Sequence, residues 1–303
     1  MCKMNKFMIR QSFILLLTAT IWGFAFVSQS VGMDYVEPFT FNAMRSLIGA
    51  AVLVPVIFLL RRLSSEKHER KVHKTEEKKA WTGGICCGVI LAAASSFQQF
   101  GIQRTTVGKA GFITAMYIIM VPFLGIFLGK KLGVRIVASV AVAVAGLYFL
   151  CMTESLRLDA GDILLMISAL IFSFHIMAVD HFSPLTDGVK MSCIQFLTSG
   201  ILCGICMFLF EAPKISMILA AWKPILYAGA LSCGAGYTLQ IIGQRGMNPT
   251  VASLIMSLES VISVLAGFLL LHEVLSIREL LGCGLMFVAI ILAQLPERRA
   301  AEE

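Results

Sequence analysis

Phe97-Gln98-Gln99-Phe100-Gly101 and Leu239-Gln240-Ile241-Ile242-Gly243 share one pattern, an apolar residue followed by Gln and, three residues on, Gly, and lie 142 residues apart. The same offset sets Ala110 on Ala252, Tyr117 on Glu259 and Gly125 on Gly267. Nearer the N-terminus the offset is 150, where Thr18-Ala19-Thr20-Ile21-Trp22-Gly23-Phe24 falls on Ser168-Ala169-Leu170-Ile171-Phe172-Ser173-Phe174. The fall of eight residues from 150 to 142 fits a charged stretch, 61–79, that lengthens the first half. One match between apolar segments means little, but a register held over successive segments points to an internal duplication.

Each copy holds five apolar stretches. Ten can be read, at about 12–31, 38–60, 81–101, 105–128, 133–151, 161–180, 189–210, 224–243, 249–271 and 276–295. A bilayer-spanning helix takes about 20 mostly apolar residues, so these segments use most of the 303 residues. Composition agrees: 58% of the chain is hydrophobic and 14% charged, and the mean hydropathy is +0.85. Soluble domains run at about 45–50% apolar and about 25% charged residues. The expected fold is therefore an all-α integral membrane protein of ten transmembrane helices. Its repeats are 11–151 and 160–296. Because five is odd, the second copy enters the membrane upside down relative to the first, giving two inverted five-helix repeats. That symmetry recurs in secondary transporters, where the two halves can rock about a site near the midplane.

Local signals support the boundaries. Pro38 and Pro249 suit first-turn positions, and Asn248 is a good cap. Lys3, Lys6 and Arg10 precede an apolar run that is long enough to span, so it reads as a retained first helix. The run 61–79 reads as a charged cytoplasmic surface loop. With the N-terminus inside, loops on that side carry 18 Lys and Arg against 6 on the other. The positive-inside rule then places both termini in the cytoplasm, with a cell membrane as the expected location. The net charge of +7 is read as this topology signal, and no nucleic-acid partner is invoked.

Ionisable groups within spans are expensive, about 2.5–3.5 kcal/mol each on insertion scales, and are functional candidates by default. Glu259 lies near mid-membrane in the ninth span; it can bind a substrate amine, take up a proton, or serve as a structural carboxyl. Arg45, in the second span, can pair with a substrate carboxylate or with Glu259, snorkel to the outer headgroups, or stabilise a helix pair. His175 can relay protons or hold an interhelical hydrogen bond. Trp22, Gln98, Tyr117, Tyr237 and Gln240 complete the cavity candidates, a set of aromatics and amides suited to an apolar wall with a few polar groups. Gln98 and Gln240 are repeat equivalents. Pro122 sits mid-span in the fourth helix and is a hinge candidate or the site of a static kink, since proline frees a backbone carbonyl. Gly84/Gly88, Gly125/Gly129 and Gly200/Gly204 permit close helix approach.

Several of these residues carry a family resemblance. Trp22-Gly23, Arg45 after Pro38, and Gln98-Gln99-Phe100-Gly101 with Thr105-Thr106-Val107-Gly108-Lys109-Ala110-Gly111-Phe112-Ile113-Thr114 resemble an EamA-type transporter of the drug/metabolite transporter superfamily. Leu258-Glu259-Ser260-Val261, Gly267 and Leu271-His272-Glu273 do so as well. The resemblance covers the whole chain as two repeats and implies a central cavity and export of amino acids or other metabolites. The second repeat departs from the pattern with Phe172-Ser173 and with no arginine in its second helix.

Enzyme signatures are missing from the sequence. His272-Glu273 is not followed by the second histidine of a zinc site, and no phosphate-binding GxxxxGK[ST] loop occurs. Cys203 and Cys206 form a lone CxxC that reads as packing. The expectation is a secondary transporter, exporter or exchanger, with a small-molecule substrate and the lipid bilayer as partners. It would use no cofactor or metal, admit proton coupling, and act as a monomer or homodimer. A lipid scramblase or an intramembrane enzyme is the alternative.

Overall fold

The computed structural model describes residues 6–63, 70–127, 129, 133–151, 159–271 and 276–294; Lys3, His272, Glu273, Arg298 and Arg299 lie outside them. Among the described residues the structure is helical, with no strand. In chain order the spans are α1 (Lys6–Gly32), α2 (Pro38–Leu63), α3 (Arg70–Ile102) and α4 (Val107–Ala115 and Tyr117–Phe127, broken at Met116). They continue as α5 (Val134–Cys151), α6 (Ala160–Phe182) and α7 (Gly188–Phe210). Then come α8 (Trp222–Leu226, Tyr227–Tyr237 and Thr238–Gln244), α9 (Pro249–Met256 and Leu258–Leu271, broken at Ser257) and α10 (Ile277–Gln294). Eight are long and apolar enough to cross a bilayer, and α5 and α10 add two shorter apolar helices that pack on each other. Large apolar side chains stand exposed along the outer surfaces, Phe208 at 76% and Ile291 at 63% among them. A belt of this size needs lipid against it.

The helix starts follow the repeat. Pro38 and Gly188 open α2 and α7 at the 150 offset. Thr106 and Asn248 cap α4 and α9 at the 142 offset, each accepting a backbone N–H from its own first turn. Packing follows the same exchange. Helix α1 lies against α8 and α9 of the other half, and α6 lies correspondingly against α3 and α4. Helices α2 and α7 pack together. This is the neighbour pattern that an in-plane two-fold axis requires, and it makes the molecule two inverted five-helix repeats.

One boundary differs from expectation. The stretch 61–79 is not a free loop: α2 runs on to Leu63 and α3 begins at Arg70, with 64–69 outside the described residues. The sequence Arg70-Lys71-Val72-His73-Lys74-Thr75-Glu76-Glu77-Lys78-Lys79 holds no Gly or Pro and is rich in good helix formers. A polar sequence can thus continue an apolar helix beyond the membrane. The Thr186 hydroxyl, at the turn before α7, donates to the Glu76 carbonyl and ties this extension down.

Small residues set how closely the repeats approach. A Cβ on Gly88 would lie 2.6 Å from the Gln195 carbonyl oxygen of α7, whereas one on Gly204 would meet nothing within 4 Å. Gly88→Ala is therefore expected to cost about 1–3 kcal/mol through overpacking against backbone. Gly204→Ala, a change that favours helix, should leave stability unchanged or slightly raised. Thermal unfolding of the detergent-purified variants checks the contrast; equal midpoints would refute the packing argument.

Candidate functional site

All eight residues singled out as cavity candidates face one interior space. Trp22, Arg45, Gln98, Tyr117, His175, Tyr237, Gln240 and Glu259 line a cavity of about 30 Å³, together with Ala25, Phe26, Gln29, Thr114, Phe172, Ile176 and Ser232. That volume holds a water molecule or two. Any metabolite would need the helices to part.

The cavity is built around the two broken helices. Tyr117 and Glu259 follow the breaks at Met116 and Ser257, and the Tyr117 hydroxyl donates to Glu259 Oε1 at 2.9 Å. The two are repeat equivalents, and equivalent positions can touch each other only beside the two-fold axis. Their bond therefore marks that axis. The break in α9 has a visible cause: Ser253, Ser257, Ser260 and Ser263 each donate a hydroxyl hydrogen bond to the carbonyl three residues earlier. Such bonds compete with the helix ladder and bend it. In α4 the break falls six residues before Pro122, which lies buried inside Tyr117–Phe127. Tight i to i+3 bonds from the Met116 N–H to Ile113 and from the Ile119 N–H to Met116 close it. The discontinuity thus sits at Met116 and not at the proline, and α9 breaks one residue short of the matching position with Val264 where α4 has Pro122.

Helix α1 gives the cavity a continuous stripe. Trp22, Ala25, Phe26 and Gln29 recur at i, i+3, i+4 and i+7, and Phe172, His175 and Ile176 repeat the first three positions on α6 at the 150 offset. Gly23 allows α9 close to this stripe, since a Cβ there would be 2.5 Å from Ile262 Cβ and 3.0 Å from the Glu259 carbonyl oxygen. The Trp22-Gly23 pair thereby places one residue in the cavity and makes room for the helix that carries Glu259. Tyr237 forms the aromatic centre of the wall, 4.6 Å between centroids from Trp22 and edge-on to His175 and Phe196.

The charges are few and stand apart. Arg45, 4% exposed, donates through Nη1 to Gln29 Oε1 at 2.8 Å and lies over the Phe41 ring. Among the described residues no carboxylate is within ion-pair distance of Arg45, and no cation within that distance of Glu259, which is also 4% exposed. The two therefore do not pair. Beyond these, His175 Nε2 sits 3.2 Å from Gln195 Oε1. An amide oxygen only accepts, so Nε2 is the donor in this contact. Gln98 Nε2 donates weakly to Thr114 Oγ1, and Gln240 Nε2 to Gln244 Oε1, both at 3.4 Å. Trp22 Nε1, His175 Nδ1, Gln195 Nε2 and Gln240 Oε1 are buried without a hydrogen-bond partner among the described residues. Buried polar atoms left this way cost about 1–3 kcal/mol each. Three of these residues, Trp22, His175 and Gln240, line the cavity.

Sequence reasoning missed Gln29, Thr114 and Ser232. Gln29 was accessible through the stripe on α1. Ser232 was not, because Tyr227–Tyr237 of α8 is a π-helix, whose i to i+5 bonding changes which residues share a face. Its counterpart in α3 is a regular α-helix. Of the CxxC pair, Cys203 is buried beside Ser96 Oγ, and both thiols are free.

Known proteins agree with this architecture. A model of the EamA-like transporter family matches residues 10–152 and again 159–295. The chain is 26% identical over 284 residues to an uncharacterized transporter of Archaeoglobus fulgidus, spanning 93% of this chain and 84% of that one. It is 24% identical over 281 residues to the uncharacterized transporter YoaV of Bacillus subtilis, spanning 90% and 92%. A crystal structure 19% identical in sequence superposes with a TM-score of 0.73 over 94% of this chain and 96% of that chain, a likeness of fold alone. With both halves matched by one family model and ten helices arranged as inverted repeats, the chain belongs to the EamA-like transporter family.

Proposed function

We propose that this transporter exports or exchanges a small zwitterionic metabolite, such as an amino acid, by alternating access around the Tyr117–Glu259 axis. The observation that carries this reading is that Arg45 and Glu259 line one cavity without pairing with each other. The single hydrogen bond to Glu259 returns about 1.5–3 kcal/mol, against an insertion cost of about 2.5–3.5 kcal/mol for a charge at mid-membrane. A substrate amine at Glu259 and a substrate carboxylate at Arg45 would meet what the protein leaves open. The convergence of polar groups on the interior favours solute transport over lipid scrambling, which needs a polar groove open to lipid. The loop charges support cytoplasmic termini in a cell membrane.

The test is a ligand-stabilisation screen of the purified protein against amino acids, nucleosides, sugars and amines. Amino acids should raise the unfolding midpoint, and Glu259→Gln should abolish the shift. Arg45→Gln should weaken binding of the same ligand at least tenfold, about 1.4 kcal/mol. A ligand that lacks a carboxylate yet binds both variants as tightly as the parent would remove the zwitterion reading.

Glu259 also supplies a site for proton coupling, since proton and substrate amine would compete for one carboxylate. In liposomes, uptake should then rise with an imposed pH gradient, and Glu259→Gln should lose that dependence. Transport indifferent to the gradient, at an unchanged rate in Glu259→Gln, would exclude coupling at this residue.

A further inference from the structure

Alternating access in an inverted repeat exchanges the conformations of the two halves, so identical halves would open to either face equally well. A contact that bridges the halves on one face, with no counterpart on the other, biases that exchange. On the face opposite the termini, Lys109 Nζ lies 2.7 Å from Asp162 Oδ2 and 3.7 Å from Asp159 Oδ2. Lys109 stands on the first segment of α4, in the first repeat; Asp159 caps α6, and Asp162 lies in its first turn, in the second repeat. The Asp162 side chain is fully buried, and that of Lys109 is 31% exposed.

Both carboxylates are held before the lysine reaches them. Asp159 Oδ1 accepts the Asp162 N–H and Asp162 Oδ2 accepts the Asp159 N–H, each at 3.1 Å, in a reciprocal capping box. The Asp162 N–H, and then Lys109, hold the Asp159 carboxyl below the usual carboxylate range. Gly161 lets the start of α6 reach the end of α3, where a Cβ would sit 2.9 Å from Arg104 Cβ. Beneath the pair, Phe26, Ile102, Ala110 and Leu165 close an apolar layer between the two repeats.

The equivalent positions on the termini face carry no charge. Under the same offsets Val251 stands for Lys109, Ser12 for Asp162 and Ile9 for Asp159. Among the described residues, neutral contacts join the repeats on that face: the Gln11 side-chain amide donates to the Ile242 and Arg245 carbonyls, and the Thr186 hydroxyl to the Glu76 carbonyl.

We infer that the Lys109–Asp162 ion pair is a latch holding the face opposite the termini closed, so that the resting protein opens more readily on the termini face. The latch rests on the alternating-access reading, but its test needs no substrate. In a background with the nine native cysteines replaced, Ala25→Cys puts one reporter thiol in the cavity wall. Oriented vesicles are treated with a charged, membrane-impermeant methanethiosulfonate from each face in turn. Lys109→Met and Asp162→Asn should raise modification from the face opposite the termini at least tenfold, and Lys109→Arg should keep the parental rate. An unchanged rate from that face, or an equal rise from both faces, overturns the latch. Should Asp162→Asn fail to fold through its part in the capping box, Lys109→Met decides alone. A one-sided rise with no metabolite found leaves the latch standing and removes only the substrate reading; transport with unchanged sidedness does the reverse.

Discussion

The hydrogen bond from the Tyr117 hydroxyl to Glu259 joins two positions that the internal repeat makes equivalent, and the arrangement of the rest of the protein follows from that meeting. Residues related by a two-fold axis touch only beside the axis, so α4 and α9 must cross at Tyr117 and Glu259. Both helices break at the crossing, at Met116 and Ser257. Broken helices at membrane depth are tolerated only where they are buried in protein or line a cavity. The cavity between α1, α3, α6 and α8 is thus the natural companion of the breaks. Once the crossing is set, the exchange of partners between the halves follows, α1 onto α8 and α9 as α6 onto α3 and α4.

Helix ends obey the local rules of good packing, while the cavity wall leaves some of its polar groups unmet. Caps are satisfied at Thr106, Asp159, Asp187 and Asn248. Around the cavity, by contrast, a guanidinium and a carboxyl are buried without an ionic partner among the described residues, and an indole N–H, an imidazole nitrogen and an amide oxygen have unused hydrogen-bonding capacity. A chain selected only for stability would have removed these groups, because each costs on the order of 1 kcal/mol or more. Unmet polar groups beside the symmetry axis fit the proposed substrate site.

The fold was legible because the bilayer imposes its own periodicity. Ten apolar stretches, an odd number per repeat and first-turn prolines at Pro38 and Pro249 were enough to describe ten inverted spans. The cavity residues were legible for a related reason: a Glu, an Arg or a Gln in mid-span is costly enough to stand out against apolar neighbours. What escaped was whatever did not change polarity. The charged stretch 70–79 is helical because Lys, Glu and Arg favour helix as well as solvent. The π-helix of Tyr227–Tyr237 depends on how Gly229, Gly234 and Gly236 meet α1 and α2, a tertiary matter. The breaks at Met116 and Ser257 owe nothing visible to Pro122, the residue that drew attention in the sequence.

Shared geometry with diverged chemistry is what turns a symmetric scaffold into a directional site. Arg45 lies seven residues into α2 from the face opposite the termini, and Gln195 takes the equivalent place in α7. Each ties the second helix of its repeat to the first, Arg45 to Gln29 and Gln195 to His175. The second-helix positions match, but their partners on the first helix lie one turn apart, His175 being the equivalent of Ala25 and Val179 that of Gln29, and the charge differs: a permanent cation on one side of the axis, and a neutral amide with an imidazole on the other. Glu259 stands at the axis between them. Within the proposed reading, a zwitterion bound with its amine at Glu259 could set its carboxylate against a cation on one side only, and would therefore lie in one orientation. A two-fold scaffold with equal halves would bind it equally well in either sense. The loss of symmetry in side chains, set on symmetry retained in backbone, gives the cavity a front and a back.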